Sequence, residues 1–254
     1  MIMLVNAIVV LIIVSMLFFL EFILALRCLF SDRNKRFILC AKYEQIGAKI
    51  ILGLFRIFHG FKISVQNPEK LEIPLRCLVI SNHQSLLDII ILISFLGIER
   101  KPRFVAKREL QYGIPFVSFT LRKGGHCLIK REGAPIDAMR EVSKMARICT
   151  QMGACPVIFP EGTRSRNGHV GEFHTAGVRK LLESGGKLPV AAIALEGGWR
   201  VANAMDFLKR FGKEPYIVEI VKVYEPPRSK FDIENMLNDA RHLIEKQIEE
   251  LRMQ

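Results

Sequence analysis

The sequence predicts an α/β domain in which helices flank a mixed sheet, preceded by an N-terminal helical segment embedded in a membrane. Short β-type runs alternating with helical stretches predict the domain. A long apolar run at the start of the chain, followed at once by basic residues, predicts the membrane segment. Hydrophobic residues make up 50% of the chain, which is too apolar for a disordered protein and high for a soluble enzyme.

The apolar run covers residues 1–20, where Asn6 and Ser15 are the only polar side chains. A helix of this length spans about 30 Å, the hydrocarbon thickness of a bilayer. A cleaved signal peptide would have a basic start, a shorter apolar core and a small-residue cleavage site, whereas here Glu21 is followed by further apolar residues. We therefore expect an uncleaved anchor, which either spans the bilayer or re-enters one leaflet.

Four basic residues follow this run directly: Arg27, Arg33, Lys35 and Arg36. By the positive-inside rule they place the rest of the chain on the cytoplasmic side of the membrane. Residues 46–65 then alternate apolar and basic side chains at helical spacing, as in an interfacial helix or a helix packed on a core, and the neighbouring anchor favours the interface. The predicted division is an anchor with an interfacial helix over 1–64 and an α/β domain with a closing amphipathic helix over 65–254.

The 254-residue chain has 37 basic and 25 acidic residues, a net charge of +12 that points to an anionic partner. Residues 27–62 hold eight Lys or Arg against two acidic residues, and residues 100–131 hold nine against one. No nucleic-acid-binding motif accompanies either cluster, so phosphorylated substrates and membrane headgroups fit better than nucleic acid. The six cysteines show no metal-ligand spacing, and no metal site is predicted.

The predicted secondary structure of the domain alternates between the two types. The β-type runs are residues 75–80, 103–106, 127–130, 156–159, 189–195 and 216–224. The helical stretches are residues 86–96, 135–152, 175–184 and 232–253. Polar residues interrupt this pattern at the ends of three predicted strands, where open α/β sheets build their sites.

The first polar segment places His83 directly after a strand and Asp88 five residues later, where a helix begins. In this arrangement the carboxylate accepts a hydrogen bond from one ring nitrogen, while the other nitrogen faces a substrate. Such a pair fixes the tautomer of the imidazole and makes it a better general base. His and Asp also occur at this spacing by chance, so the pair alone does not establish a function.

The second polar segment ends a strand with Lys130 and Arg131, which also fits the solvated end of an ordinary strand. The third polar segment is residues 159–165, where a proline and a glycine end the preceding strand. It brings together the carboxylate of Glu161, a free backbone N–H at Gly162, a hydroxyl and a guanidinium. Arginine can grip phosphate oxygens through two hydrogen bonds, so this segment predicts a phosphate site.

Together these segments resemble the motifs of the glycerolipid acyltransferase family, in particular of 1-acyl-sn-glycerol-3-phosphate acyltransferases. The family motifs read N-H-x4-D, G-x-x-F-I-x-R and F-P-E-G-T-R-S, followed by an apolar stretch with a proline. The matching residues here are His83 with Asp88, residues 125–131 with Leu128 in place of the usual Phe, residues 159–165 complete, and residues 188–190. The resemblance covers roughly residues 65–200 and includes residues 106–110 ahead of the second motif.

Two positions depart from the family pattern. His174 stands where a lysine is usual, and a second proline near Ala192 is absent. In this family both positions are expected to lie where the acceptor and the acyl donor are contacted.

The resemblance implies an O-acyltransferase of phospholipid biosynthesis. It would move a fatty acyl group from an acyl thioester, carried by coenzyme A or an acyl carrier protein, to the sn-2 hydroxyl of 1-acylglycerol 3-phosphate, giving phosphatidic acid. His83 would be the general base and Asp88 would orient it. The acceptor would be held by Arg131, Glu161, Gly162, Thr163 and Arg164, and Lys107 would hold either its phosphate or the anionic carrier of the acyl group. No cofactor beyond the acyl thioester is implied, and the partners are membrane lipids, the lysophospholipid and the donor, without nucleic acid.

Several alternatives remain open at this point. The acceptor could be another lysolipid or glycerol 3-phosphate, or the protein could be a thioesterase in which His83 activates water. A non-catalytic protein that docks on acidic lipids would need neither His83 nor Asp88. Ser85 and Cys127 are conceivable nucleophiles, but the chain lacks the G-x-S-x-G turn that presents a nucleophilic serine, which favours direct transfer.

Overall fold

The computed structural model describes residues 2–130, 135–201 and 215–253 of the chain. The strands are β1 (Ile63–Gln66), β2 (Leu78–Ser81), β3 (Arg103–Lys107), β4 (Cys127–Ile129), β5 (Pro156–Ile158), β6 (Val190–Glu196) and β7 (Tyr216–Tyr224). The α-helices are α1 (Ile2–Leu29), α2 (Arg33–His59), α3 (Leu87–Arg100), α4 (Val117–Lys123), α5 (Pro135–Met152), α6 (Thr175–Gly185) and α7 (Lys230–Met253).

The sheet is mixed, as predicted, and its strand order is β1-β7-β6-β2-β5-β3-β4. Neighbouring strands run parallel except for β6 and β7, which are antiparallel. The carboxyl ends of β2, β5, β3 and β4 therefore meet at one edge of the sheet, which we call the carboxyl edge. Residues that directly follow these four strands are brought side by side, although they are far apart along the chain.

Apolar layers cover both faces of the sheet. The central strand β6 is buried along its whole length and reads as a nearly continuous apolar run, which is typical of a strand between two layers of helices. Side chains of α5, α6 and α7 pack on one face. Side chains of α2 and α3, together with Val9 of α1, pack on the other.

The predicted β-runs coincide with β2 to β7 within a few residues at each end, and four predicted helices correspond to α3, α5, α6 and α7. The helical pattern over 46–65 was wrong in its bounds, because α2 begins at Arg33 and ends at His59, and the next residue, Gly60, has the left-handed φ of 65°. The next residues form β1, which pairs with β7. Four residues are too few for their alternation to stand out from the helical pattern before them.

Helix α1 packs against α2 through one side. Within the described residues, Val5–Leu29 is the helix long and apolar enough to cross a membrane, by length and composition. Two of its polar side chains are turned inward: Asn6 Oδ1 lies 2.6 Å from His59 Nε2, and Glu21 Oε2 accepts the backbone N–H of Phe116 at 2.9 Å. Most of the remaining surface of α1 is exposed and apolar.

A buried ionic cluster joins α2 to the amino ends of β3 and β4. Glu44 accepts a hydrogen bond from Arg103 Nη1 at 2.8 Å, and its other oxygen lies 2.8 Å from His126 Nε2. Because His126 Nδ1 accepts the backbone N–H of Phe104, the ring proton is on Nε2 and is donated to Glu44. Burial opposes ionisation of Glu44, but Arg103 and His126 outweigh it and lower the pKa of this carboxyl.

Gly125, the first residue of the second motif, lies beside this cluster with a φ of 83°. A Cβ atom there would come within 2.9 Å of the Phe37 ring. We expect Gly125→Ala to lower the free energy of unfolding by about 1–3 kcal/mol, because both the backbone conformation and the space disfavour a side chain. Thermal and chemical unfolding of the full chain in detergent measure this change.

The matched control is Gly53→Ala in the middle of α2, where a Cβ atom would meet nothing within 4 Å. Alanine there should raise the free energy of unfolding by up to about 1 kcal/mol, since it favours the helix. Equal unfolding midpoints for the two variants would contradict the close approach of Gly125 to Phe37.

Candidate active site

His83 and Asp88 form a hydrogen-bonded pair at the carboxyl edge. His83 follows β2 and Asp88 lies in the first turn of α3, so the turn between them brings Nδ1 of His83 to 2.6 Å from Asp88 Oδ2. An ionised carboxylate can only accept, so Nδ1 carries the ring proton and Nε2 keeps its lone pair. Asp88 is completely buried, whereas 14% of the His83 side chain is exposed. This arrangement suits an imidazole that takes a proton from a substrate.

Four further contacts hold the Asp88 carboxylate. Oδ2 also accepts the backbone N–H groups of Gln84 at 2.6 Å and Ser85 at 3.0 Å. Oδ1 lies 3.2 Å from Ser85 Oγ and accepts the hydroxyl of Tyr216 at 2.5 Å. Gly198 covers the same oxygen so closely that a Cβ atom would come within 2.9 Å of it. The carboxylate is thus fixed in one orientation and shielded from water.

The third motif holds the backbone and the ring of His83. The Phe159 ring stacks on the imidazole with a centroid distance of 4.0 Å and an angle of 11°. Glu161 Oε1 accepts the backbone N–H of His83 at 2.7 Å, and the N–H of Ser165 donates to the His83 carbonyl at 2.7 Å. The first and third motifs therefore form one unit, although almost 80 residues separate Glu161 from His83.

Glu161 is directed at the protein backbone. Its second oxygen accepts the N–H of Gly171 at 2.8 Å, so each oxygen has a backbone partner, and only 7% of the residue is exposed. Burial raises the pKa of this carboxyl, while the N–H groups of His83 and Gly171 oppose the rise. The prediction of a free N–H at Gly162 was wrong, because this group donates to the carbonyl of Phe159 at 3.0 Å.

The predicted basic residues are spread along the carboxyl edge. Adjacent strands lie about 4.8 Å apart, so the ends of β3 and β4 are about 10 and 14 Å from the end of β2. Lys107 ends β3, Lys130 follows β4, and Arg164 lies in the loop after β5, all three with exposed side chains. Thr163 is exposed in the same loop. Arg131 lies outside the described residues.

The two departures from the family pattern lie in different surroundings. His174 precedes α6, and its backbone N–H donates to the carbonyl of Pro160 at 3.0 Å, close to the third motif. Ala192 is buried in the middle of β6, and Pro189 begins this strand beside Leu78, at the opposite end from His83. The expectation that the position near Ala192 contacts a substrate was therefore wrong, because it belongs to the core.

Sequence reasoning missed the contacts that join this site to β6 and β7. Asn82 clamps the loop after β2 to β6, since its amide donates to the Leu195 carbonyl and accepts the Leu195 N–H, both at 2.8 Å. Gln84 donates to Glu196 at 3.0 Å and accepts the N–H of Gly198 at 2.9 Å. The sequence shows the run of polar residues around His83. It does not show which residues, more than 100 positions away, these side chains contact.

The two conceivable nucleophiles are buried. Ser85 Oγ is held by Asp88 and by the N–H of Leu87 at 3.1 Å. Burial raises the pKa of the Cys127 thiol to about 12, so it is not a thiolate at neutral pH. Within the residues that the structure describes, no three His, Cys, Asp or Glu side chains are grouped so that they could hold a metal ion.

Comparison with known proteins yields sequence relatives along much of the chain. Residues 62–196 match the family model described as "Acyltransferase". The 1-acyl-sn-glycerol-3-phosphate acyltransferase of Pseudomonas aeruginosa is 32% identical over 155 residues, 61% of this chain and 57% of that protein. The human 1-acyl-sn-glycerol-3-phosphate acyltransferase beta is 34% identical over 119 residues, 47% of this chain and 41% of that protein. The chain thus spans about half the length of these curated relatives.

The crystal structure of the 1-acyl-sn-glycerophosphate (LPA) acyltransferase PlsC from Thermotoga maritima has the same fold. The two structures superpose with a TM-score of 0.74 over 99% of this chain and 96% of the other, at 22% sequence identity. The family match covers more than half of the chain and includes both β2 with His83 and the third motif. On this ground the chain belongs to the acyltransferase family.

Proposed function

We propose that the protein is an O-acyltransferase that moves a fatty acyl group from an acyl thioester to the sn-2 hydroxyl of 1-acylglycerol 3-phosphate, giving phosphatidic acid. The observation that carries this proposal is the His83–Asp88 pair, whose Nε2 keeps its lone pair at the carboxyl edge. Exposed cations lie along the same edge. The named activities of the relatives from Pseudomonas aeruginosa and human support the same reaction.

In the proposed mechanism the acceptor hydroxyl gives its proton to Nε2 of His83. The hydroxyl oxygen attacks the thioester carbonyl carbon, the carbon–sulfur bond breaks, and the leaving thiolate takes the proton from the imidazolium. General-base assistance of this type contributes about 10² to 10⁴ in rate. The burial of Ser85 and Cys127 supports direct transfer without an acyl-enzyme.

The phosphate of the acceptor would lie against the cations of the carboxyl edge. Arg164 is in the loop that contacts His83 through Ser165 and Glu161, so its guanidinium can reach a phosphate beside the reacting hydroxyl. Lys107 is one strand further along the edge. Thr163 and Gly162 in the same loop, and Arg131 after β4, complete the acceptor site that we propose.

The role of Glu161 in this proposal is to position His83. Both of its oxygens accept backbone N–H groups, one from His83 itself, so this carboxylate acts on the acceptor only through the loop that it holds. A buried carboxylate beside an anionic phosphate would also repel it. We therefore assign Glu161 to the support of the base and leave phosphate binding to the cations.

The apolar helix α1 would anchor the enzyme where its acceptor is found, with the α/β domain on the cytoplasmic side. A lysophospholipid resides in a leaflet, and moving its chain through water would cost about 0.8 kcal/mol for each exposed methylene. An anchored enzyme avoids this cost. The acyl thioester, whether it carries coenzyme A or a carrier protein, would reach the carboxyl edge from the aqueous side.

Substitution of the base tests the reaction directly. We expect His83→Ala to lower kcat at least about 100-fold, because the acceptor proton loses its recipient, and to lower the unfolding temperature, because buried Asp88 loses one hydrogen-bond donor. Mass spectrometry of lipids formed from 1-acylglycerol 3-phosphate and an acyl thioester measures the product. The control is His242→Ala on the exposed side of α7, which should keep full activity.

Thiol release measured in parallel separates acyl transfer from hydrolysis. Release that is independent of added lysophosphatidate would identify a thioesterase and contradict the proposal. Faster turnover of glycerol 3-phosphate or of another lysolipid would leave the proposed chemistry unchanged but would identify a different acceptor.

Substitution of Arg164 tests the phosphate site. We expect Arg164→Gln to raise the KM for lysophosphatidate about 10- to 100-fold with little change in kcat, as expected for the loss of charge-assisted hydrogen bonds of about 1.5–3 kcal/mol. Steady-state kinetics with lysophosphatidate measure this, and Arg179→Gln on the exposed surface of α6 is the matched control. Wild-type turnover of a phosphate-free monoacylglycerol that equals turnover of lysophosphatidate would rule out the phosphate role.

Substitution of Glu161 distinguishes support from substrate contact. Glu161→Gln places an amide N–H₂ against one of two backbone N–H donors, so we expect a loss of about 1–3 kcal/mol in the free energy of unfolding and a lower kcat, with KM unchanged. Thermal unfolding and steady-state kinetics provide the two readouts. A rise in KM at constant stability would instead show that Glu161 contacts the acceptor.

A further inference from the structure

Tyr216 stands behind the His83–Asp88 pair at the start of β7. Its hydroxyl lies 2.5 Å from Asp88 Oδ1, and the residue is almost completely buried. The strand register places it beside Ile63 of β1, and its backbone N–H donates to the Lys62 carbonyl at 2.8 Å. Two neighbouring strands therefore fix the position from which the hydroxyl reaches Asp88.

The hydroxyl is the donor in this contact. Burial and the adjacent Asp88 raise the pKa of Tyr216 well above its usual range, so it keeps its proton throughout the range in which an enzyme is assayed. Asp88 Oδ2 is already used by His83 and two backbone N–H groups. Oδ1 has Tyr216 and the longer contact to Ser85 at 3.2 Å. The Tyr216 hydroxyl is thus the closest hydrogen-bond donor to Oδ1, the carboxylate oxygen that does not contact the imidazole.

We propose that Tyr216 is a positioning residue for acyl transfer, forming with Asp88 and His83 a three-membered hydrogen-bond chain that sets the orientation and the proton affinity of the imidazole. The inference rests on the proposed function for its kinetic consequences. Its physical basis is independent of the substrate, because both hydrogen bonds of the chain lie among the described residues. No short-range sequence pattern connects Tyr216 to the motifs, since 128 residues separate it from Asp88.

The direction of the effect follows from the charge on Asp88. A hydrogen bond from Tyr216 draws negative charge toward Oδ1 and weakens the hold of Oδ2 on an imidazolium. Without the hydroxyl, the carboxylate stabilises protonated His83 more strongly. The base is then neutral only at higher pH, and the carboxylate is also less firmly oriented.

Other charged groups around the pair stay unchanged when the hydroxyl is removed. Glu161 faces the pair from the loop after β5, and its oxygens remain on backbone N–H groups. Glu196 approaches Tyr216 from the end of β6 and is paired with Arg252 at 2.9 Å and Arg200 at 3.5 Å. A shift in the titration of His83 can therefore be assigned to Tyr216.

The test is Tyr216→Phe in the full-length protein, with kcat and KM measured over the acid limb of the pH profile. We expect kcat to fall about tenfold, as for the loss of one hydrogen bond to a charged group, with KM for lysophosphatidate unchanged. We also expect the acid limb of kcat to move to higher pH. Loss of activity without movement of the acid limb would reduce Tyr216 to a structural residue and overturn the proposal.

The matched control lies on the same strand. Tyr224, at the far end of β7, donates its hydroxyl to the Asp239 carboxylate at 2.8 Å, away from the carboxyl edge. Tyr224→Phe removes the same type of hydrogen bond and should leave both kcat and the pH profile at wild-type values. Equal effects of the two substitutions would also contradict the proposal.

Two further measurements keep the inference testable if the variant is unstable or the reaction is a different one. Replacing Tyr216 by 3-fluorotyrosine makes the hydroxyl a stronger donor in nearly the same volume, so the acid limb should move to lower pH. Nuclear magnetic resonance of labelled histidine reports the titration of His83 without any substrate. An unchanged His83 titration in Tyr216→Phe refutes this inference, whereas a shifted titration without acyl transfer refutes the proposed function alone.

Discussion

The structure depends on a carboxylate that is completely removed from water. Among the described residues, Asp88 has no arginine or lysine partner, and burying a carboxylate without a cation costs several kcal/mol. Its stabilisation comes from the His83 ring, two backbone N–H groups and the hydroxyls of Ser85 and Tyr216. These donors belong to the loop after β2 and to the start of β7, whereas Asp88 itself lies in the first turn of α3. The catalytic geometry therefore forms only when these elements are all in place.

Basic residues of the 100–131 segment lie at two different ends of the sheet. Arg103 lies in the cluster over 100–131, yet it is buried against Glu44 at the amino end of β3, where it joins the sheet to α2. Lys107 comes four residues later on the same strand and is exposed at the carboxyl edge. Net charge over a segment points to an anionic partner but does not show which cations are free to bind one. Whether a cation is buried or exposed in the folded protein decides whether it can bind such a partner.

The sequence predicted what depends on short-range patterns. The β-type runs located β2 and β5 and placed His83 and Glu161 just after them, and the parallel pairing of these strands brings the two residues into contact. Tyr216 depends on the antiparallel pairing of β7 with β6, whose register shifts between Ala192 and Ile193. No periodicity reveals such a pairing. The same limit applies to Glu44, which the sequence shows only as one of the two acidic residues counted in 27–62.

The N-terminal helices are coupled to the active site through packing. Helix α2 lies against α3, where the amide of Gln45 donates to the Ser94 carbonyl at 3.4 Å, and α3 begins in the turn that carries Asp88. Helix α1 makes a polar contact of its own, in which the Glu21 carboxylate accepts the backbone N–H of Phe116, the residue before α4. A domain on a flexible linker would meet a membrane in many orientations. In the proposed function, a domain packed against its anchor would hold the carboxyl edge at a fixed position relative to α1, so a lipid beside that helix would meet the proposed base in one orientation.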